Sequence, residues 1–571
     1  MEQARIWVPR SAALAAFALY ALAAPSGVYW LDSGELSASG LGLGIAHPTG
    51  FPLYMLLVKA AGLVPLGELA FRVNLLSAVC AALAVMWVGQ LVLAVCKDDA
   101  AAIAGAAAAA LTLALTLTFF RQATVAEVYA PTAAVLAYAL RAFVRVINGG
   151  GARDGLVLAA VCGVGLATHS TFALIGAPVA ALLVVRLYRG ARWTLAMPMV
   201  AVLVAGGLFM YLPVRAAASP QPSIQWERTD TAGGLAAHVS GARIRAAFAD
   251  DMRSTQTAVW TTNAARFFTD AAEQLLFALL AALAGLAWLL RHRRTRWIGG
   301  TLAFIAVADA VYSFWLNPMG QAELQNGVPF TLVVCVGAGA GVAAFGRVLG
   351  RAAPFAAGAT AVVLAFSVAS VSAEQVWAAR TGDLPRGWAE AGLDATPSRG
   401  IAMVENDSTA SAMIFSSTIE LARPDVSVIV KQRSVEAWRT RRILSRVDPG
   451  AALFGARPVT WEIGFLPPPT GYRLEVGMPL ARLTPAAEGA ATPPVPGELD
   501  AVARRLIQLF DHRSAADPAA TLALAQALNV IGRVALERGD NATAARAYDA
   551  ALAVYPRFAR AWVNRGTVAA A

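Results

Sequence analysis

The chain has 571 residues, of which 58% are hydrophobic and only 14% charged, with a mean hydropathy of +0.57. Soluble domains carry about a quarter charged residues, so an ordinary soluble multidomain protein is excluded. The formal net charge of +10 could suggest nucleic acid as a partner. However, the arginines lie between apolar runs, where the inner-face bias of membrane proteins places them, and no nucleic-acid partner is expected.

At the N-terminus, Arg5 and Arg10 precede an apolar run, with an A-x-A-like stretch near Ala21–Ala24. This resembles a signal peptide, but the many later spans favour a retained first helix. Apolar runs of about 20 residues, enough to cross a bilayer, recur from Ser11–Tyr29 to Ala352–Ser372. They include Ala100–Phe119, Gly155–Ser170, Thr171–Leu187 and Ala271–Leu290. The expectation is a mainly α, polytopic membrane protein with about eleven transmembrane helices. Cys80, Cys96, Cys162 and Cys335 lie in or beside apolar runs with no CxxC pair. They read as small apolar residues, with neither a zinc set nor a disulfide framework.

Arg141, Arg145, Arg153, Arg186, Arg189, Arg192, Arg291, Arg293, Arg294, Arg296, Arg347 and Arg351 fall on alternate connections, the side that faces inward. The expected topology is a bacterial inner-membrane protein with a cytoplasmic N-terminus. Loops 30–70 and 213–270, and everything after about Ala373, then face the periplasm. The predicted domains are a transmembrane part over 1–372, a periplasmic α/β segment with a linker over 373–497, and helices over 498–571. Ile401–Asp407, Ser408–Ala422 and Val426–Val430 read as strand, helix and strand. Pro467–Pro496, rich in Pro, Gly and Ala, reads as a linker. Gly532, Gly539, Ala544, Tyr548, Ala551 and Pro556 fall at tetratricopeptide positions on a 34-residue period, and Trp562 and Gly566 restart it. An isolated repeat is rarely stable, so the expectation is that the helix Leu499–His512 packs on it or that further repeats follow in a longer chain.

The residues that could carry chemistry cluster on the outer side. Asp32 and Glu35 follow the first apolar run, and carboxylates so placed are costly unless they face a cavity, an interface or a partner. They could cap the next helix, or one could act as general base for a hydroxyl acceptor. His47 lies in a His-Pro-Thr-Gly turn and suits either a backbone bond or a phosphate or sugar contact. His47, His169 and His238 all map to the outer face, but no two share zinc-ligand spacing. Arg72 and Asn74 open the second span, and Arg121, Glu127 and Tyr129 lie at a later outer junction. Arg215, and His238 with Arg243 and Arg245, form further outer polar groups. Outer arginines run against the inside bias, so they pair with acids, meet water or hold an anion such as a lipid phosphate.

The runs Asp32-Ser33-Gly34-Glu35, Ala46-His47-Pro48-Thr49-Gly50-Phe51-Pro52-Leu53-Tyr54 and Arg72-Val73-Asn74-Leu75-Leu76-Ser77 carry a resemblance. So do Glu127-Val128-Tyr129, Tyr211–Arg215, Trp226, His238-Val239-Ser240-Gly241, Glu405-Asn406-Asp407-Ser408 and Arg423-Pro424-Asp425-Val426. In this order they resemble a bacterial and eukaryotic transmembrane family that includes a protein O-mannosyltransferase with C-terminal tetratricopeptide repeats. Thr49 stands where the family more often has Pro, and Glu405 where it has Asp.

The resemblance implies a GT-C-like enzyme that moves a sugar, mannose or another hexose, from a polyprenyl-phosphate carrier to a hydroxyl on protein or surface glycan. It implies that Asp32 or Glu35 is the base, with Asp32 preferred, lying directly at the end of the first span. Arg121, Arg215 or Arg243 would hold the donor phosphate, and His47 would support either. A divalent metal could assist, although the sequence offers no dedicated ligand set. The expected partners are the lipid-linked sugar, the acceptor, membrane lipid and a protein bound through the C-terminal repeat. Two rival readings remain open: a lipid-linked sugar transporter or flippase, and a non-enzymatic scaffold. The scaffold predicts that deleting Leu499–Ala571 abolishes function while Asp32→Asn and Glu35→Gln do not, and the enzyme predicts the reverse.

Overall fold

The computed structural model describes residues 1–96, 99–247, 257–321, 324–348, 358–359, 361–366, 368–369, 384–404, 406–430, 457–462, 472–475, 480–485, 496–508, 517–537, 539–556 and 558–570. The chain divides into two compact units. One comprises Met1–Ala24 and Leu43–Val376, and the other Pro25–Gly42 and Trp377–Ala571. The chain therefore leaves the first unit after Ala24 and returns to it at Leu43. Residues 30–42, expected as part of a transmembrane-domain loop, belong instead to the unit that holds the C-terminal region.

The first unit is helical and apolar. Among the described residues, seven helices are long and apolar enough to cross a membrane, or nine if each of two bent pairs is one span. The bent pairs are Ala100–Leu115 with Leu117–Thr124, and Val259–Leu275 with Phe277–Arg291. Two further expected spans account for the difference from eleven. Gly155–Ser170 holds a helix, Ala152–Leu166, of only 15 residues, and most of Ala352–Ser372 lies outside the described residues.

Val328–Val348 is the centre of the unit, with 89% of its apolar window buried, whereas Arg192–Ala216 has 11% and turns its apolar surface outward. A helix exposed that way needs an apolar solvent around it, which is what a bilayer supplies. Val328–Val348 packs on Ala100–Leu115, whose buried side is largely alanine. Small side chains let helix backbones approach closely where no hydrophobic effect drives helices together.

The two bends support each other. Ala100–Leu115 and Leu117–Thr124 meet at 65°, which leaves the first N–H groups of the second helix, Thr118 among them, without partners in their own helix. Gln274, beside the second bend, answers them: its Oε1 accepts from Thr118 N–H at 2.9 Å and from Thr118 Oγ1 at 2.7 Å. A broken helix at membrane depth needs such side-chain partners.

The second unit contains a five-stranded sheet in the order β2-β1-β3-β5-β4. Its strands are β1 (Ile401–Val404), β2 (Ser427–Val430), β3 (Val459–Glu462), β4 (Tyr472–Glu475) and β5 (Leu480–Pro485). β1 pairs in parallel with β2 and β3, with Ile401 opposite Ser427 and Val459. β5 pairs antiparallel with β3 and β4. The helix Asp407–Thr418 connects β1 to β2, so the strand–helix–strand order is as expected. The parallel β1–β2 pair needs such a crossover. The predicted linker over 467–496 holds two strands, β4 and β5. Composition concealed them because each is short and bounded by the Pro- and Gly-rich residues that suggested a linker. Pro496–Gln508, Pro518–Glu537, Asn541–Val554 and Ala559–Ala570 are helices. Leu499, Ala503 and Leu506 of the first share a core with Leu528, Ile531, Tyr548 and Ala551.

Candidate active site

Asp32 is the N-cap residue of the helix Ser33–Leu41, yet its side chain makes no capping hydrogen bond. It is partly exposed. Glu35 lies one turn on and is 3% exposed. Its Oε1 accepts from Ser39 Oγ at 3.1 Å, an i,i+4 bond on one helix face. The two acids therefore differ in kind: one reaches solvent, and the other is held inside.

The helix Ser33–Leu41 packs on Asp407–Thr418 within the second unit. The Glu35 N–H donates to Ser411 Oγ at 3.1 Å. A Cβ placed on Gly34 would overlap the Ser411 carbonyl oxygen, so the glycine of Asp-Ser-Gly-Glu is the point where two backbones cross. Just upstream, Tyr29 OH donates to Asp517 Oδ1 at 2.6 Å, and Trp30 meets Trp388 edge to face with centroids 6.3 Å apart.

The helix that receives these contacts is itself anchored. Asn406 caps it, its side chain accepting from Ser408 N–H at 2.9 Å, and Asn406 Nδ2 donates to Gln526 Oε1 at 2.9 Å. Glu462 accepts from Asn406 N–H and Thr409 Oγ1, both at 2.8 Å. Glu405 lies outside the described residues.

A second cluster forms in the first unit around the His-Pro-Thr-Gly turn. Ile45 N–H donates to Ile224 O at 2.9 Å, and Trp226 N–H to Ile45 O at 3.1 Å. Tyr211 OH donates to Gly44 O at 2.7 Å, and Arg215 Nε to Leu43 O at 2.6 Å. Two segments far apart in sequence are thus joined by main-chain groups. The His47 ring meets Phe51 at 5.0 Å and Trp226 at 5.9 Å. Phe51 stacks on His169 at 5.9 Å, and His169 meets Tyr129 at 5.0 Å. His169 precedes the span Ser170–Tyr188. Burial, with His47 nearby, pushes its imidazole down to about 4, so near neutral pH it offers no positive charge.

His238 sits behind this turn, fully buried, with Nδ1 3.6 Å from Glu227 Oε2 of an equally buried side chain. Gly50 has φ +86°, and a Cβ there would come within 2.8 Å of Leu212 and 2.9 Å of His238 Nε2. This turn therefore needs glycine for both its conformation and its space.

Arg72 donates to the carbonyls of Gly62, Leu66 and Gly67 at 2.8, 3.2 and 3.0 Å. These bonds tie down the end of the helix Pro52–Gly62 and the turn after it. Arg121 is partly buried in the last turn of Leu117–Thr124. Glu127 is buried, with its N–H 3.5 Å from Ser77 Oγ. Tyr129 OH donates to Gln325 Oε1 at 3.3 Å, and with His169, Asp309, Tyr312 and Asn326 it lines a small cleft. The backbone of Arg243 is in the helix Ala242–Ala247, and its side chain lies outside the described residues.

Sequence reasoning singled out His238 but missed Glu227, although an acid beside Trp226 in a polar loop was a usable signal. Ser411 and Asp517 had no local signal at all. Among the described residues, no three His, Cys, Asp or Glu side chains gather as a metal-holding group.

Comparison with known proteins adds the following. Residues 32–193 match the family described as the protein O-mannosyl-transferase TMEM260 N-terminal domain. The protein O-mannosyl-transferase TMEM260 of Mus musculus is 45% identical over 60 residues, 10% of this chain. That alignment spans 8% of the mouse protein's length. The crystal structure of ArnT from Cupriavidus metallidurans bound to undecaprenyl phosphate has a TM-score of 0.47 at 12% identity. It covers 84% of this chain and 98% of that one, and at that score the likeness carries no weight for the chemistry.

Proposed function

Taking the match of residues 32–193 to the O-mannosyltransferase N-terminal domain as premise, we propose that this protein is a GT-C-like membrane glycosyltransferase. It moves a hexose from a polyprenyl-phosphate carrier to a hydroxyl of a protein or surface glycan. The observation that carries this reading is the acid pair at the start of the matched segment, one carboxylate accessible and one enclosed. Asp32, partly exposed at the start of the helix Ser33–Leu41, takes the proton of the acceptor hydroxyl as the new C1–O bond forms. The bond from C1 to the phosphate oxygen breaks, and the lipid phosphate leaves with its electron pair. Glu35, buried and bonded to Ser39, holds the helix and the local field rather than the proton.

Arg215 suits the leaving phosphate. Its Nε is engaged by Leu43 O, and a guanidinium fixed at one nitrogen presents the others in a set direction. Arg121, Tyr129, Glu127 and His47 remain in the proposed donor-binding set, with Arg243 as a further phosphate ligand. Arg72 is left outside it because main-chain carbonyls hold its guanidinium. His238 belongs behind the turn, where it supports His47 without touching substrate. The outer face is the periplasm of a bacterial inner membrane in this reading, and the C-terminal helices take a protein partner.

The test is mass spectrometry of surface glycoproteins and glycans in a deletion strain, complemented by wild type or Asp32→Asn. Loss of a hexose modification, restored by wild type only, is the expected result. A general base contributes about 10²–10⁴ in rate, so Asp32→Asn should fall below detection. An unchanged glycan profile in the deletion strain overturns the transferase reading.

A further inference from the structure

The helix carrying the acids is held by residues remote from it in sequence, all within the second unit. Two contacts to Ser411 fix it, and a third, through Tyr29, fixes the segment just before it. The Glu35 N–H donates to Ser411 Oγ at 3.1 Å, Gly34 lies against the Ser411 carbonyl, and Tyr29 OH donates to Asp517 Oδ1 at 2.6 Å. Asp517 directly precedes the helix Pro518–Glu537. The same helix supplies Gln526, which binds Asn406, the cap of the helix that bears Ser411. The contacts thus form a closed loop: acid helix, crossover helix, C-terminal helix, and back through Tyr29.

We infer that Ser411 and Asp517 are positioning residues for the acid pair, and that the C-terminal helices are a structural part of the acid-bearing site rather than an appendage. This rests on the proposed role of Asp32 and Glu35. The distinction matters because general-base catalysis depends on the base being within hydrogen-bond reach of the proton it takes. A small misplacement by a distant change can cost about a hundredfold in rate.

The experiment uses the full chain in lipid nanodiscs, with Tyr29→Phe and Ser411→Ala compared with wild type. Each change removes a single oxygen, and neither alters the acids. Hydrogen–deuterium exchange is read on peptides covering Ser33–Leu41, with Asn541–Val554 as the internal control for folding. The expected result is roughly tenfold faster exchange of Ser33–Leu41, the size of one lost hydrogen bond, with the control peptide unchanged. Transfer should show a lower kcat with the donor KM unmoved. Exchange of Ser33–Leu41 at the wild-type rate in both variants overturns the inference, whatever the activity. Faster exchange with undiminished transfer sustains the positioning but overturns the assignment of the acids to the reaction.

Discussion

At the scale of single residues, the motif Asp-Ser-Gly-Glu divides its work. Asp32 faces solvent in part, Glu35 is enclosed, and Gly34 makes room for another backbone. Gly34→Ala adds one methyl group where a carbonyl already sits. Overpacking of this kind costs about 1–3 kcal/mol, and here it must push Ser33–Leu41 off its seat. We expect Gly34→Ala to accumulate in the membrane yet lose most transfer, measured by in vitro hexose transfer from a polyprenyl-phosphate donor. Gly34→Ala with wild-type turnover would contradict that packing role. Glu35→Gln keeps an acceptor for Ser39, so it should impair turnover far less than Asp32→Asn in the same assay. The acids and His47 were legible because they are rare polar residues beside apolar runs. The role of Gly34 was not, because its reason lies in Ser411, 377 positions away in the chain.

Elements show the same divide between local and remote signals. Helix caps are local, and the helix Asn541–Val554 illustrates one. Asp540 accepts from Thr543 N–H at 3.0 Å, and that main-chain bond holds its carboxyl below the usual carboxylate range. A folded-state value below the unfolded one stabilises above the unfolded value, about 3.9 for Asp. The contribution is lost as pH falls through the lower folded value. Asp540→Ala should therefore lower helix protection by about 1 kcal/mol near neutral pH. Asp540→Asn should retain the cap but lose its share of the acid sensitivity. Hydrogen exchange of Asn541–Val554 between pH 3 and 7 checks both.

Spans, too, could be read from local composition, since a run of apolar residues is its own evidence. The bends at Thr116 and Leu276 could not. They depend on Gln274 meeting Thr118, and nothing in either segment alone requires it. β4 and β5 were hidden for the converse reason: their strand character comes from pairing with β3 and with each other.

For the whole molecule, the division into two units changes a test that the sequence had framed. Deleting Leu499–Ala571 was expected to separate an enzyme from a scaffold. That deletion removes Asp517 and Gln526, the partners of Tyr29 and Asn406. The enzyme reading now also predicts loss of transfer on deletion. The discriminating variant is Asp32→Asn, which leaves every described contact of the C-terminal helices in place. Reporter fusions after Trp377 should report the same face as both acids, the proposed outer one, because they share a unit with the residues beyond that point. A cytoplasmic signal there would overturn the proposed topology.

The early departure of the chain at Pro25 also has a consequence in time. Tyr29 and Glu35 leave the ribosome near the start of synthesis, but Asp517 and Ser411 follow them by 488 and 376 residues. At about 5–20 residues per second, that gap is on the order of a minute. Until Ser411 is made the acid-bearing helix has no seat, while the first spans are already entering the membrane. A chain arrested before residue 411 would carry both carboxylates and the complete His47 turn, yet lack the parts that fix the acids. On the proposed reading, competence for transfer would then be acquired only once both Ser411 and Asp517 have been made.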